Sequence, residues 1–221
     1  MSSGLMNFSQ QRQLFSPALA KPVTIIGAGA VGSHIASQLC RIGVTDMTVY
    51  DPDSVDSHNI PPSLYGLSDF GAYKVDALEA ILLRDTGVVI KKERRKYEGE
   101  KLRGAVVCSV DNMETRQLIW RSVQNNPFVD ILIDTRIAWE FWQVFTVKPC
   151  KPVDRAFYEP FLSYSSEEAA RQSCGTHGII YVSSAVATEA VTSLLKFWEN
   201  GTKQIHIERV CGLPIYIYAK E

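Results

Sequence analysis

Several common signatures are missing from this chain, and each absence removes a class of function. No C-x-x-C pair occurs among the five cysteines, at positions 40, 108, 150, 174 and 211, so a four-cysteine structural zinc site is not available. Their odd number and the lack of short paired spacings argue against a disulfide framework and fit a reducing compartment. No apolar stretch approaches the roughly 18 residues that a membrane span needs. The opening MSSGLMNFSQQRQLF has neither the basic start nor the apolar run of a signal peptide. A cytoplasmic protein with no membrane partner is therefore expected. Neither sign of charge dominates: 23 Lys and Arg stand against 24 Asp and Glu, a formal net charge of −1. Nucleic acid is not an expected partner on that balance. The one local basic run, Lys91, Lys92, Arg94, Arg95 and Lys96, reads as a solvated strand end or loop before it reads as an anion-binding patch.

What is present is the composition of a soluble globular domain, with 46% apolar and 21% charged residues in 221. Residues 1–20 read as an arm leading into the domain. The run VTII (23–26) is a short buried strand followed at once by glycines, and Ile35, Ala36, Leu39 and Cys40 then recur at helical spacing. Further strands are expected at MTVY (47–50), VVIK (88–91), AVVCSV (105–110), DILID (130–134) and WQVFTV (142–147). Helices are expected over 74–83, 113–123 and an alanine-rich 181–198. Residues 149–176 read as a long crossing loop, and IHIERV followed by PIYIY reads as a closing hairpin. Strands alternating with helices imply a Rossmann-like, doubly wound α/β fold. Its sheet should be mostly parallel, with a C-terminal antiparallel extension. Residues 21–221 are taken as one nucleotide-binding domain.

Gly27, Gly29 and Gly32 form G-x-G-x-x-G between the first strand and the first helix. In that context Gly27 permits the tight turn, Gly29 lets backbone approach a phosphate, and Gly32 lets helix pack on strand. The helix N-terminus offers unpaired N–H groups to the anion. Asp51 ends the second strand 19 residues beyond Gly32, where a carboxylate can accept from ribose hydroxyls. This much serves two chemistries: hydride transfer by an NAD-dependent oxidoreductase, or nucleotidyl transfer from ATP.

The stretch VTIIGAGAVGSHIASQLCRIGVTDMTVYDPDSVDSHN, then DFGAYKVDAL, then CSVDNMETR resembles the ThiF/MoeB/HesA family, adenylyltransferases related to ubiquitin-activating enzymes. The matching positions are Asp51 and Asp53, Asn59, Lys74, and Asp111 with Asn112. More loosely, SCGTHGIIYVSSAVATEAVTSLLKFW looks like the family's cysteine, glycine and alanine-rich helix. The resemblance implies ATP and magnesium as cofactors, with Lys74 on the phosphates, Asp111 on the metal and Asn59 donating to a phosphate or ribose oxygen. It implies activation of the C-terminal carboxylate of a small ubiquitin-like or sulfur-carrier protein. It also implies a homodimer in which the arm, through Arg12, reaches the neighbouring subunit's site. Read without the family, a lone lysine is most often solvated, and an Asp-Asn pair often caps the next helix.

One position departs from the family. Where Leu-x-Arg-Gln usually follows the asparagine, this chain has Ile60, Pro61, Pro62 and Ser63. Pro62 supplies neither the charge nor an N–H. Arg12 and Arg136 are the candidates to replace that arginine, and a non-catalytic nucleotide-binding scaffold is the alternative function. Cys174 aligns with a cysteine that some relatives use as an acceptor, and His177 could lower its pKa if close in space.

Overall fold

The computed structural model describes residues 6–138, 141–163 and 179–210. Its centre is a seven-stranded sheet in the order β3-β2-β1-β4-β5-β6-β7. The strands are β1 (Val23–Ile26), β2 (Met47–Tyr50), β3 (Lys91–Glu93), β4 (Gly104–Cys108), β5 (Val129–Ala138), β6 (Phe141–Val147) and β7 (His206–Val210). The first five run parallel, β1 pairing β2 on one side (Ile26 with Tyr50) and β4 on the other (Ile26 with Cys108). β6 and β7 add antiparallel, with Asp134 opposite Phe145 and Phe145 opposite His206. The expected Rossmann-like sheet and its antiparallel extension are both present.

Strand alternation builds two cores. Ile25, Val49, Val107 and Ile133 face one layer, and Ile26, Tyr50, Val106, Cys108 and Leu132 face the other. The first layer holds helices α1 (Ala30–Arg41), α2 (Lys74–Thr86) and α5 (Ile180–Asn200), which precedes β7. On α5, Val182, Val186, Ala187, Ala190, Val191 and Leu194 line the buried stripe, the period of a helix with one face on a sheet. The second layer holds α3 (Met113–Val123) and α4 (Pro152–Tyr158), with Ile119, Trp120 and Tyr158 buried among them. Among the described residues no helix is long and apolar enough to cross a membrane.

Two elements differ from the sequence expectation. The ladder of β3 begins at Lys91, paired with Thr48, and ends at Glu93, so VVIK contributes only its last residue. Val88 and Ile90 are nevertheless buried: the apolar run marks contact with the core, and hydrogen bonding begins only where β2 lies alongside. The expected crossing loop opens with α4 and a 3-10 turn, Glu159–Leu162. Pro152 occupies the first turn of α4, where a missing N–H costs nothing. Seven residues are too few to show a period, and the prolines mask the helix. Residues 164–176 and the PIYIY half of the expected hairpin lie outside the described residues. The IHIERV half pairs with β6.

Candidate functional site

The sheet order places a topological switch between β1 and β4, whose following segments depart to opposite faces. The crevice beyond those strand ends is where open α/β sheets hold ligands. Both edges of that crevice are built by the glycine turn and by the Ser109–Asp111 turn.

The three glycines answer to different constraints. Gly27 has a φ of 98°, and a Cβ there would lie 2.5 Å from the Ser109 carbonyl oxygen. A Cβ on Gly32 would lie 1.9 Å from the Gly27 carbonyl oxygen, because the first turn of α1 folds directly back on the strand end. A Cβ on Gly29 would meet nothing within 4 Å. Gly29 is the N-cap of α1 and no side chain caps that helix, so its first N–H groups and the positive end of its dipole border open space. A helix N-terminus open in this way can receive an anion.

The turn is held by a brace that the spacing of residues did not suggest. Asp51, buried at the end of β2, accepts from the Ala28 N–H at 2.7 Å and from the Asp53 N–H at 2.9 Å. Tyr65 donates its hydroxyl to the Ala28 carbonyl oxygen at 2.6 Å. The backbone is thus gripped on both sides of Ala28, which fixes the glycine turn. Burial pushes the Asp51 carboxyl up, opposed by Lys74 and the two N–H donors. Burial, then the charges of Asp51 and Asp69, push the Tyr65 phenol well above its ordinary value, so it remains a donor. Asp51 keeps further lone pairs for a ribose, but its first role is to clamp the turn.

Lys74 opens α2 and is buried, with Nζ 2.9 Å from Asp53 Oδ2 and 3.9 Å from Asp51 Oδ1. The side chain of Asp53 is 64% exposed, so this pair stands at the mouth of the crevice. Asn59 accepts from the Asp56 N–H through Oδ1 at 3.0 Å, inside a 3-10 turn over Ser57–Asn59. The loop that follows is stitched to α1, Leu64 N donating to Ser33 Oγ at 3.3 Å. Pro62 is half-buried within it, against buried His34 of α1. Desolvation lowers the His34 pKa, and a hydrogen bond to the Pro62 backbone opposes that shift.

On the far side of the crevice Asp111 is exposed and accepts from Asn112 Nδ2 at 3.2 Å. Asn112 Oδ1 accepts from Thr115 N at 2.9 Å as the N-cap of α3, so its helix-capping reading holds. Ser109 Oγ donates to the Gly27 carbonyl oxygen at 2.7 Å, joining the two turns. Among the described residues no group of three His, Cys, Asp or Glu is arranged to hold a metal. A cation at Asp111 would need a nucleotide's phosphate oxygens to complete its shell, the usual habit of magnesium.

The other candidates fall elsewhere. Arg136 lies within β5, its guanidinium bonded to buried Asp134 at 3.0 Å and to the Phe161 carbonyl oxygen at 3.0 Å. It is committed to that network and does not replace the charge missing at Pro62. Arg12 is exposed on the arm. The arm packs at Gly43, where Pro17 would meet an added Cβ at 2.8 Å, and Gln11 Nε2 donates to the Ile42 carbonyl oxygen at 2.9 Å. Those contacts are at the C-terminal end of α1, about 18 Å of helix rise from the glycine turn. Within its own chain Arg12 is therefore remote from the crevice. Cys174, His177 and Cys211 lie outside the described residues, and Cys150 is exposed beside Asn126. Four residues of the basic run form ion pairs: Lys91 with Asp46, Lys92 with Asp76 and Glu79, Arg94 with Asp76, and Arg95 with Glu93 and Glu100.

A family model described as "ThiF family" matches residues 9–210. The chain belongs to the ThiF family. Among curated proteins it is 27% identical over 163 residues to uncharacterized protein y4oA of Sinorhizobium fredii, covering 68% of this chain and 24% of that protein. It is 24% identical over 179 residues to ubiquitin-like modifier-activating enzyme 5 of Branchiostoma floridae, covering 81% of this chain and 36% of that protein. This ThiF-family chain therefore spans about a quarter to a third of the length of the curated relatives it matches. Among solved structures, PaaA superposes with a TM-score of 0.70 at 16% identity, covering 89% of this chain and 71% of PaaA. E. coli MccB with ATP superposes with a TM-score of 0.71 at 14% identity, covering 92% and 65%. At these identities the structural matches establish the fold.

Proposed function

We propose that this ThiF-family chain binds ATP in the crevice between β1 and β4 and adenylates a carboxylate. The observation that carries the reading is the meeting of the two turns. A clamped glycine turn with an open helix N-terminus lies against a turn bearing an exposed aspartate, with Lys74 across the mouth. The reaction forms a bond from a carboxylate oxygen to the α-phosphorus and breaks the bond from that phosphorus to the bridging oxygen. Pyrophosphate leaves and no proton moves. Such a step is served by positioning and by neutralising phosphate charge. The α1 N-terminus and Lys74 would neutralise the phosphates, Asn59 would donate through its amide, and Asp111 would hold magnesium. The acceptor we propose is the C-terminal carboxylate of a small ubiquitin-like or sulfur-carrier protein. MccB solved with MccA and the similarity to a ubiquitin-like modifier-activating enzyme support a polypeptide acceptor.

ATP–pyrophosphate exchange with a panel of Gly-Gly-ended carriers tests this. Exchange in the wild type, with a loss of at least about a hundredfold in Asp111→Ala, is the expected result; undiminished exchange in that variant would remove Asp111 from the metal. Pro62 favours a second reading, a nucleotide-binding scaffold without catalysis. ATP binding with no exchange, across carriers and metals, would favour the scaffold. NADH binding that ATP does not displace would reject both.

A further inference from the structure

Beneath the Ser109–Asp111 turn lies a polar cluster that the proposed reaction does not use. Arg116 of α3 is 4% exposed and Asp134 of β5 is fully buried. Arg116 Nη1 donates to Asp134 Oδ1, and Arg116 Nη2 donates to the Val110 carbonyl oxygen at 2.6 Å. The same guanidinium reaches Cys108 Sγ at 3.6 Å and the Thr135 carbonyl oxygen at 3.4 Å. Asp134 is held in turn by Arg136 Nε at 3.0 Å and by the Tyr158 hydroxyl at 2.8 Å. A buried ion pair is a poor source of stability, since desolvation offsets much of the Coulomb gain. What its planar fork does supply is direction, fixing two acceptors at once.

We propose that Arg116 is the positioning residue for Asp111, acting through the Val110 carbonyl and held in place by Asp134. After Cys108 the chain leaves the sheet and loses its ladder partners, so the turn needs other anchors. One is Ser109, which ties it to the glycine turn through Oγ and also donates its N–H to Ile26 at 2.9 Å. Arg116 is the anchor on the opposite side. Between them the backbone before Asp111 is held, while the Asp111 side chain remains exposed. The cluster reaches further, because Arg136 Nη1 and Gln117 Nε2 hold the carbonyl oxygens of Phe161 and Leu162. The buried carboxylate that steadies the Asp111 turn therefore also anchors the end of α4.

The inference rests on the nucleotide reading above, and the test separates the two. In the full chain, Arg116→Lys keeps the charge but cannot fork. ATP affinity with magnesium is expected to fall about tenfold, and affinity in EDTA to stay unchanged. The double variant with Asp111→Ala should bind no worse than Asp111→Ala alone. Without nucleotide, amide hydrogen exchange at residues 109–112 should accelerate in Arg116→Lys while residues 23–27 stay protected. Equal losses with and without magnesium, additive losses in the double variant, or unchanged exchange at 109–112 would overturn the proposal. If Arg116→Lys does not fold, Tyr158→Phe removes one bond from Asp134 and should change both readouts in the same direction by about threefold; no change in either would count against it. If the wild type binds no ATP under any condition, the nucleotide reading fails, and the exchange rates alone decide the role of Arg116.

Discussion

Gly29 and Gly32 stand three residues apart in one turn, yet only Gly32 is required by packing. Its added Cβ would enter backbone at 1.9 Å, whereas one on Gly29 would enter open space. Gly32→Ala is expected to cost about 3 kcal/mol or more. Gly29→Ala should cost at most about 1 kcal/mol yet weaken ATP binding at least about tenfold by occupying the open space at the helix N-terminus; thermal melts and calorimetry read the two effects separately. His34 gives a residue-scale expectation in pH. Burial lowers its pKa from 6.5, so the unfolded chain takes up the proton first as pH falls. Its contribution to stability is fully present above 6.5 and is lost as pH drops through the depressed folded value. The melting-temperature gap between wild type and His34→Gln should therefore narrow from about pH 7.5 to about pH 5.5; a gap independent of pH would remove His34 as the source.

At the scale of elements, neighbouring side chains divide their work according to what they touch. Asn112 caps α3 while Asp111 beside it stays exposed. Asn112→Ala should destabilise the fold by about 1 kcal/mol. Asp111→Ala should stay within about 0.5 kcal/mol of the wild type, and denaturant titrations check both. Element type was readable where a period or a glycine context was long enough: α3 spans 113–123 as its pattern indicates, and α5 extends the alanine-rich run by a few residues. The seven residues of α4 and the three of β3 were not readable, because a short helix shows no period and an edge strand is defined by its neighbour. The glycine turn and Asp51 were likewise legible from spacing. Tyr65 was not, since a lone tyrosine in a proline-rich loop carries no signal until the loop folds against Ala28.

For the whole molecule, the arm and the crevice lie at opposite ends of α1, which decides how Arg12 could act. Any contribution of Arg12 to the site must come from another copy, the arrangement that the family resemblance implies. Mixing Arg12→Ala with Asp111→Ala subunits should then restore up to about a quarter of wild-type activity, because only mixed dimers assemble one intact site. Two inactive variants that stay inactive on mixing, in a chain that sediments as a monomer, would reject the shared site. The missing arginine at Pro62 gives this experiment its weight, since Arg136 is tied to Asp134 within β5.

Lys74 and Asp111 stood out only through the family resemblance, whereas the alternation of the longer strands and helices, the glycine turn and Asp51 at the end of β2 were legible in the chain itself. Those features rest on local spacing and on the period of side chains along a strand or helix. It took the folded chain to show that Asp51 and Tyr65 hold the two sides of Ala28, and that Arg116 and half-buried Arg136 gather around Asp134. Both clusters join residues far apart in the chain, and contacts of that kind exist only once the sheet order brings β2, β1, β4 and β5 side by side.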